Sequence, residues 1–372
     1  MQPFKFGHAS HAHWQEAAYV CLKQIEPVSY EDNLGFLYVT DLLAGELSAI
    51  LDFFKQHTEV AHWVGTVGIG ICSQGKEYLD EPAIAVMLGN FPPHAFEVFT
   101  TANTDFEAFS RTHQAWCEVK KPMFAIVHGD PRHTEMANLV FQLSERLGEG
   151  FLVGGLTSSR GAYLQIANEI VNDGLSGVMF ASNVSVATRL TQGCALISAR
   201  HQITAAQNNI LIEIDNRPAL EVFYEDIGEV LARDLNKIAG YIFAALPVPG
   251  SDTGDYLVRS LLGIDPEHEL IAISENVQTG NSIMFARRDP QTAYEDLVRV
   301  LKTLKKDVKE PLKGGVYFSC LGRGKNMFGQ DSQELKAIQS VLGDFPLVGF
   351  FANGEISHQR LYGYTGVLTL FL

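Results

Sequence analysis

Cysteine is scarce in this 372-residue chain: Cys21, Cys72, Cys117, Cys194 and Cys320 are odd in number, widely scattered and form no C-x-x-C pair. That argues against a disulfide framework and for reduced thiols in the cytoplasm. Positive charge is also short, with 28 Lys and Arg against 43 Asp and Glu and a formal net charge of −15. Nucleic-acid binding needs a basic footprint to displace counterions, and adhesion to anionic membranes needs the same, so neither partner is expected. No apolar run approaches the ~20 residues of a membrane span, so no membrane insertion is expected. The opening MQPFKFGHASHAHW lacks the apolar stretch of a secretion signal. What remains is a composition ordinary for a globular protein, 46% hydrophobic and 19% charged, long enough for two domains with real cores.

One pattern occurs three times. Strand-like runs at 35–40, 123–128 and 315–320 each lead into a helix-patterned stretch. Each helix is followed by an apolar run rich in glycine and small polar residues: VGTVGIG from Val64, VGGLTSS from Val153 and VGFFANG from Val348. A third apolar strand closes each unit, at 83–88, 176–180 and 366–370. Self-similarity at a period of roughly 55 residues indicates duplication, with too few copies for a solenoid. The fold class expected is therefore α/β: two domains of mixed β-sheets flanked by helices, with an internally repeated strand–helix–strand–strand unit. The VG segments place flexible glycines just past strand ends, where α/β proteins bind ligands.

Between the units, Ser10 is placed to cap a helix with the stripe Trp14, Ala18, Cys21, Leu22 and Ile25. The runs HQITAAQ and ILIEID flank Asn208-Asn209 and predict a hairpin. Asp215-Asn216-Arg217-Pro218 reads as a junction before the helix ALEVFYEDIGEVLARDL, which sets the expected domains at 1–215 and 216–372. A loop is expected at 247–252, strands at 256–264, 270–274 and 282–286, and a lysine-rich helix at 291–309.

Several motifs carry possible chemistry. Gly70 to Lys76 mimics a phosphate loop, but Glu77 stands where a hydroxyl should hold magnesium, and a carboxylate there repels phosphate. The clusters His8, His11, His13 and His128, Asp130, His133 match no familiar zinc spacing, so no metal site is expected. Cys320 ends a predicted strand with Arg323 three residues on, in a glycine-loosened loop that favours thiolate; the alternatives are a nucleophile or a strand-end cysteine beside a carboxylate-binding arginine. Glu355, after Gly354 in an apolar neighbourhood, needs a partner if buried, and Arg323 is the expected one. That pair either holds an amino-acid zwitterion between its members or is a structural salt bridge.

At these residues the chain resembles the FIST family, bacterial sensory modules built of FIST N and FIST C domains. The resemblance rests on VGTVGIGI, VGGLTSSRG, the long block from TRLTQGCALIS to PALEVFYEDIG, YLVRSLLGID, VYFSCLGRGKNMFG, PLVGFFANGEI and LYGYTGVLTLF, from about Asn33 to Leu372. It implies a sensor of a small polar ligand, amino acids among the candidates, and it carries no settled catalytic residues. It leaves no stretch for a fused output domain, so a separate signalling partner is expected. Cys320, Arg323, Asn353 and Glu355 match the C-terminal motif, and Thr157, Ser158 and Gln192 fall in the N-terminal ones; these seven are the expected ligand-binding residues. Some FIST proteins bind haem and sense nitric oxide, and a thiol-dependent enzyme using Cys320 is a further alternative. The reading favoured here has no cofactor and no catalytic residue.

Overall fold

The computed structural model describes residues 3–101, 106–228, 238, 240–248 and 255–372. The chain forms two compact units that do not follow chain order: residues 1–192 together with 296–372, and residues 193–295.

The first unit is built from the threefold pattern. Leu34–Thr40 pairs in parallel with His62–Gly68 and antiparallel with Ala83–Gly89, with the helix Leu47–Thr58 as crossover. Phe124–Gly129 stands likewise between Phe151–Leu156 and Leu175–Phe180, across the helix Met136–Arg146. Gly314–Cys320 stands between Leu347–Ala352 and Gly366–Phe371, across Gln333–Leu342. The register agrees as well: Leu37 faces Gly65, Val127 faces Gly154 and Tyr317 faces Gly349. The duplication predicted from the VG segments is present, and each copy has its own sheet.

The repeat is longer than the sequence pattern suggests. Each copy begins with an outer strand laid antiparallel on its closing strand: Lys5–Ser10, Phe96–Thr100 and Val186–Thr191. A helix follows in each, namely Trp14–Ile25, Phe106–Lys120 and Pro290–Asp307. Ser10 is thus the end of a strand rather than a helix cap; its hydroxyl donates to Glu81 and the helix starts after His13. In the third copy the chain between outer strand and helix carries the second unit, so that unit is an insertion into the repeat.

The copies also exchange parts. After its VG strand each copy makes a short hairpin that joins another copy's sheet. Gly70–Ser73 with Lys76–Leu79 adds to Leu347–Ala352 of the third copy. Gln165–Ala167 with Glu169–Val171 adds to His62–Gly68 of the first, and Glu355–Ser357 with Arg360–Tyr362 adds to Phe151–Leu156 of the second. The glycine-rich loop Gly70 to Lys76 is therefore a hairpin and not a strand-to-helix phosphate loop.

The three sheets share one core. Phe36, Ile126, Val316, Phe124 and Phe371 lie in it, beside Tyr38, His128 and Phe318. These last three occupy equivalent strand positions, and their rings form a triangle with centroids 5.7, 6.2 and 6.3 Å apart. Each sheet's other face is covered by its copy's two helices. Burial on both faces explains why the central strands are continuous apolar runs rather than alternating ones.

The second unit is an antiparallel sheet closed on itself. Its order runs Ser282–Arg288, His201–Gln207, Ile210–Ile214, Leu270–Ile273, Tyr256–Asp265 and Ile242–Pro247, which returns to Ser282–Arg288. Closure removes the exposed edges that a flat sheet of this kind would present. The predicted hairpin at Asn208-Asn209 is there, with Asn208 left-handed at φ 55°. The helix Ala219–Ile227 lays Leu220, Phe223 and Ile227 on the barrel interior, with the Phe223 and Phe285 rings 4.8 Å apart. The remainder of that predicted helix, and most of the predicted loop at 247–252, lie outside the described residues.

Candidate functional site

The parallel strands Gly314–Cys320 and Leu347–Ala352 of the third copy end side by side. The Cys320 N–H donates to the Thr365 carbonyl at 2.9 Å, and the Leu321 N–H to the Ala352 carbonyl at 2.9 Å. A tight turn follows, closed by the Arg323 N–H on the Cys320 carbonyl at 2.8 Å. This turn folds Arg323 back beneath the strand, where it has no exposed surface.

The ion pair that Arg323 makes is with Glu334, and this corrects the expected pairing with Glu355. Arg323 Nε donates to Glu334 Oε1 at 2.8 Å, and both side chains are fully buried. Glu334 lies in the first turn of Gln333–Leu342 and also accepts from Tyr317 Oη at 2.7 Å, Ser319 Oγ at 3.1 Å and the Gly324 N–H at 3.0 Å. That carboxylate is saturated. The arginine is not: Nη1 and Nη2 have no hydrogen-bond partner among the described residues.

Two more buried carboxyl groups stand in the same neighbourhood. Glu355 Oε2 accepts from the Thr365 N–H at 3.0 Å and Thr365 Oγ1 at 2.8 Å, and the carboxyl meets the Cys320 side chain, while Oε1 has no nitrogen or oxygen partner among the described residues. Glu77 arrives on the hairpin donated by the first copy; its N–H donates to Ser332 Oγ at 2.9 Å and its Oε1 is likewise unpartnered. Buried polar atoms are almost always satisfied, so several orphans around one guanidinium call for an explanation.

Burial pushes Glu355 up to about 8, although Thr365 and the Arg323 charge pull the other way. Burial and then the Glu334 charge push Glu77 up to about 8. Burial opposes the Arg323 charge, but Glu334 and Tyr317 more than offset it, so the guanidinium stays protonated. Desolvation and the neighbouring Glu355 raise the Cys320 thiol, which corrects the expected thiolate: Arg323 opposes this shift but is outweighed.

Of the other expected residues, Thr157 and Ser158 hold copies together. Thr157 Oγ1 bonds Thr66 Oγ1 at 2.7 Å, and Ser158 Oγ accepts from the Ile69 N–H at 2.9 Å and donates to the Phe351 carbonyl. Asn353 is exposed, with its N–H on the Leu156 carbonyl at 2.9 Å. Gln192 follows the outer strand of the third copy, its N–H on Asp296 Oδ2 at 2.8 Å. The structure therefore gathers Cys320, Arg323 and Glu355. It adds Glu334 and Glu77, which reasoning from the sequence missed.

A family model described as the FIST N domain matches residues 33–217, and one described as the FIST C domain matches residues 219–358. The chain belongs to the FIST family. An uncharacterized protein of Mycobacterium tuberculosis strain H37Rv is 32% identical over 360 residues, covering 91% of this chain and 90% of the relative. One from Mycobacterium bovis is 29% identical over 361 residues, covering 91% and 89%. FIST domains are associated with sensory signalling and small-ligand binding, and theirs is a family of sensory rather than enzymatic domains. Among the described residues no helix is long and apolar enough to cross a membrane. Within this FIST chain, Cys320, Arg323, Glu334 and Glu355 fall in the FIST C match and Glu77 in the FIST N match, joined by the exchanged hairpin.

The raised carboxyls give the FIST fold a pH signature. Folded Glu355 keeps its proton to about pH 8, whereas an unperturbed glutamate loses it near 4.5. Across that window the folded state binds more protons, so rising pH erodes stability, by at most about 1.4 kcal/mol per pH unit for one carboxyl. Below the window the contribution is complete, and above about pH 8 it is gone. Glu355→Gln should flatten part of this decline in denaturant titrations between pH 5 and 8. Equal slopes in variant and wild type would show that Glu355 is ionised throughout.

Proposed function

We propose that this protein is a cytoplasmic sensor in which Arg323 receives the carboxylate of a small polar metabolite, an amino acid or organic acid, and that occupancy is passed to a separate output protein. One observation carries the reading: Arg323 is wholly buried with Nε on Glu334, and among the described residues its two Nη groups have no hydrogen-bond partner. A buried donor left unmade costs about 1–3 kcal/mol, more for a charged group, so the free fork is an expense that a bound anion would recover. A guanidinium presents parallel N–H donors that match a carboxylate's two oxygens. Glu355 Oε1 supplies a second point of attachment, suited to an ammonium group, which would draw off the Glu355 proton. The Cys320 thiol, kept protonated by its surroundings, then lines the site rather than attacking. In this reading the modules 1–215 and 216–372 both serve one site, the first through Glu77.

A thermal-shift screen of amino and organic acids tests this. A ligand at ~100 Kd should stabilise the protein by about 2.7 kcal/mol. Arg323→Lys should lose most of that shift, because a point charge cannot reproduce the fork. A screen without hits, or an Arg323→Lys protein that binds its hit as well as wild type, would sink the assignment.

A further inference from the structure

We infer that residues 324–330 form a lid over the Arg323 site, hinged at Gly324 and Gly329 and latched from outside by Lys325. The inference rests on the ligand reading above, since a guanidinium without exposed surface can meet a ligand only if something moves. The group lying on it is Phe328, whose ring centroid is 5.0 Å from the guanidinium carbon. Phe328 is half-buried and ends the short helix Lys325–Phe328. Gly324 and Gly329 bound that helix with φ of 54° and 85°, a left-handed conformation that costs glycine little.

Both feet of the segment are anchored inside the site. The Gly324 N–H is held by Glu334, and Ser332 Oγ by the backbone of Glu77. Between the feet, the Lys325 backbone N–H meets the Glu77 carboxylate. Met327 is buried, Asn326 Nδ2 donates to the Leu321 carbonyl at 3.0 Å, and Lys325 Nζ meets Asp80 Oδ2 at 2.6 Å. Asp80 is half-exposed and also pairs with Arg160, which pairs in turn with Asp41. The latch is therefore a chain of charges drawn from all three copies, open to solvent at Lys325, Asp80 and Arg160 and ending on the buried Asp41 side chain. Moving Phe328 off Arg323 pulls Lys325 from Asp80, so the state of the buried site is written on an exposed rim. A partner that competes for Asp80 or Lys325 would read it there.

The experiment needs no ligand. Native full-length protein is treated with phenylglyoxal, and modification of each arginine is followed by peptide mass spectrometry, with exposed Arg299 as internal reference. Wild-type Arg323 should react far more slowly than Arg299. Phe328→Ala should accelerate Arg323 by about tenfold, and Asp80→Asn by a smaller factor, about threefold, through more frequent local opening. Raising salt should accelerate wild type and leave Asp80→Asn nearly unchanged, because the latch is screened. Arg323 rates equal in all three proteins overturn the lid. So does an increase shared by all arginines, since that reports general loosening, and Asp80→Asn, altered only at the half-exposed rim, guards against a misfolded Phe328→Ala. A failed ligand screen beside a moving Arg323 rate would sink the carboxylate reading and leave the lid standing.

Discussion

Glu334→Ala should lower the unfolding free energy by about 3–5 kcal/mol, the range for removing one partner of a buried ion pair. The change strands the fully buried guanidinium of Arg323 and takes the acceptor from Tyr317 Oη, Ser319 Oγ and the Gly324 N–H together. With about 2.1 cal/mol/K of unfolding entropy per residue, this chain of 372 residues shifts by about 1.3 °C per kcal/mol, so the melting point should fall by about 4–6 °C. Replacing both partners by apolar residues, Arg323→Met with Glu334→Leu, should cost clearly less than the single change, because no charge is left unpaired. Thermal unfolding of the three proteins decides the matter. A Glu334→Ala protein within ~1 kcal/mol of wild type would mean that Arg323 finds water or another partner, and the free-fork argument would fall with it.

Gly65→Ala, Gly154→Ala and Gly349→Ala should each destabilise by about 3 kcal/mol or more, at or above the usual range for overpacking. A Cβ at these positions would stand 1.8, 1.9 and 1.8 Å from the carbonyl oxygens of Leu37, Val127 and Tyr317. Those oxygens belong to the central strand of each sheet, which is fixed on both sides and cannot retreat. Gly45→Ala, with nothing within 4 Å of the added carbon, is the control and should be close to neutral. Denaturant unfolding of all four variants checks the equivalence of the copies. A neutral outcome at any one of the three would show that its close approach is not shared.

The VG segments were legible because that close approach forbids any side chain: glycine opposite the central strand is a steric requirement, and sequence records it. The outer strands were not legible. Lys5–Ser10 and Val186–Thr191 bury few residues, so they lack the apolar run that marked their neighbours. Hairpin strands such as Gln165–Ala167 and Glu355–Ser357 are three residues long, too short for any periodicity, and their partner strands are chosen by tertiary packing. The interrupted third copy was hidden because 193–295 has its own strand pattern, which reads as a continuation of the chain. At the site, Arg323 and Glu355 could be found from their places beside strand ends, but the pairing could not. Glu334 did leave a trace: it falls four residues before Ile338 and next to Leu335, on the buried stripe of its helix. A carboxylate on an apolar stripe needs a donor, and the nearby Arg323 was available.

The exchange of hairpins dictates when this protein can come into being. The hairpin Gly70–Leu79 has its docking strand at Leu347–Ala352, where Val348 meets Ser73, so most of the chain must be synthesised before the first copy's contribution finds its place. No copy closes its own sheet; the second waits for Glu355–Ser357 and the first for Gln165–Ala167. Pairings this distant in sequence make for slow, late nucleation, because loop closure must precede the contacts that reward it. An emerging chain therefore exposes incomplete sheets until Leu347–Ala352 and Glu355–Ser357 have left the ribosome, and the same C-terminal stretch holds Glu355 on a strand and Arg323 in the turn after Gly314–Cys320. The exchange of hairpins thus ties completion of the three sheets to the gathering of Arg323, Glu334, Glu355 and Glu77.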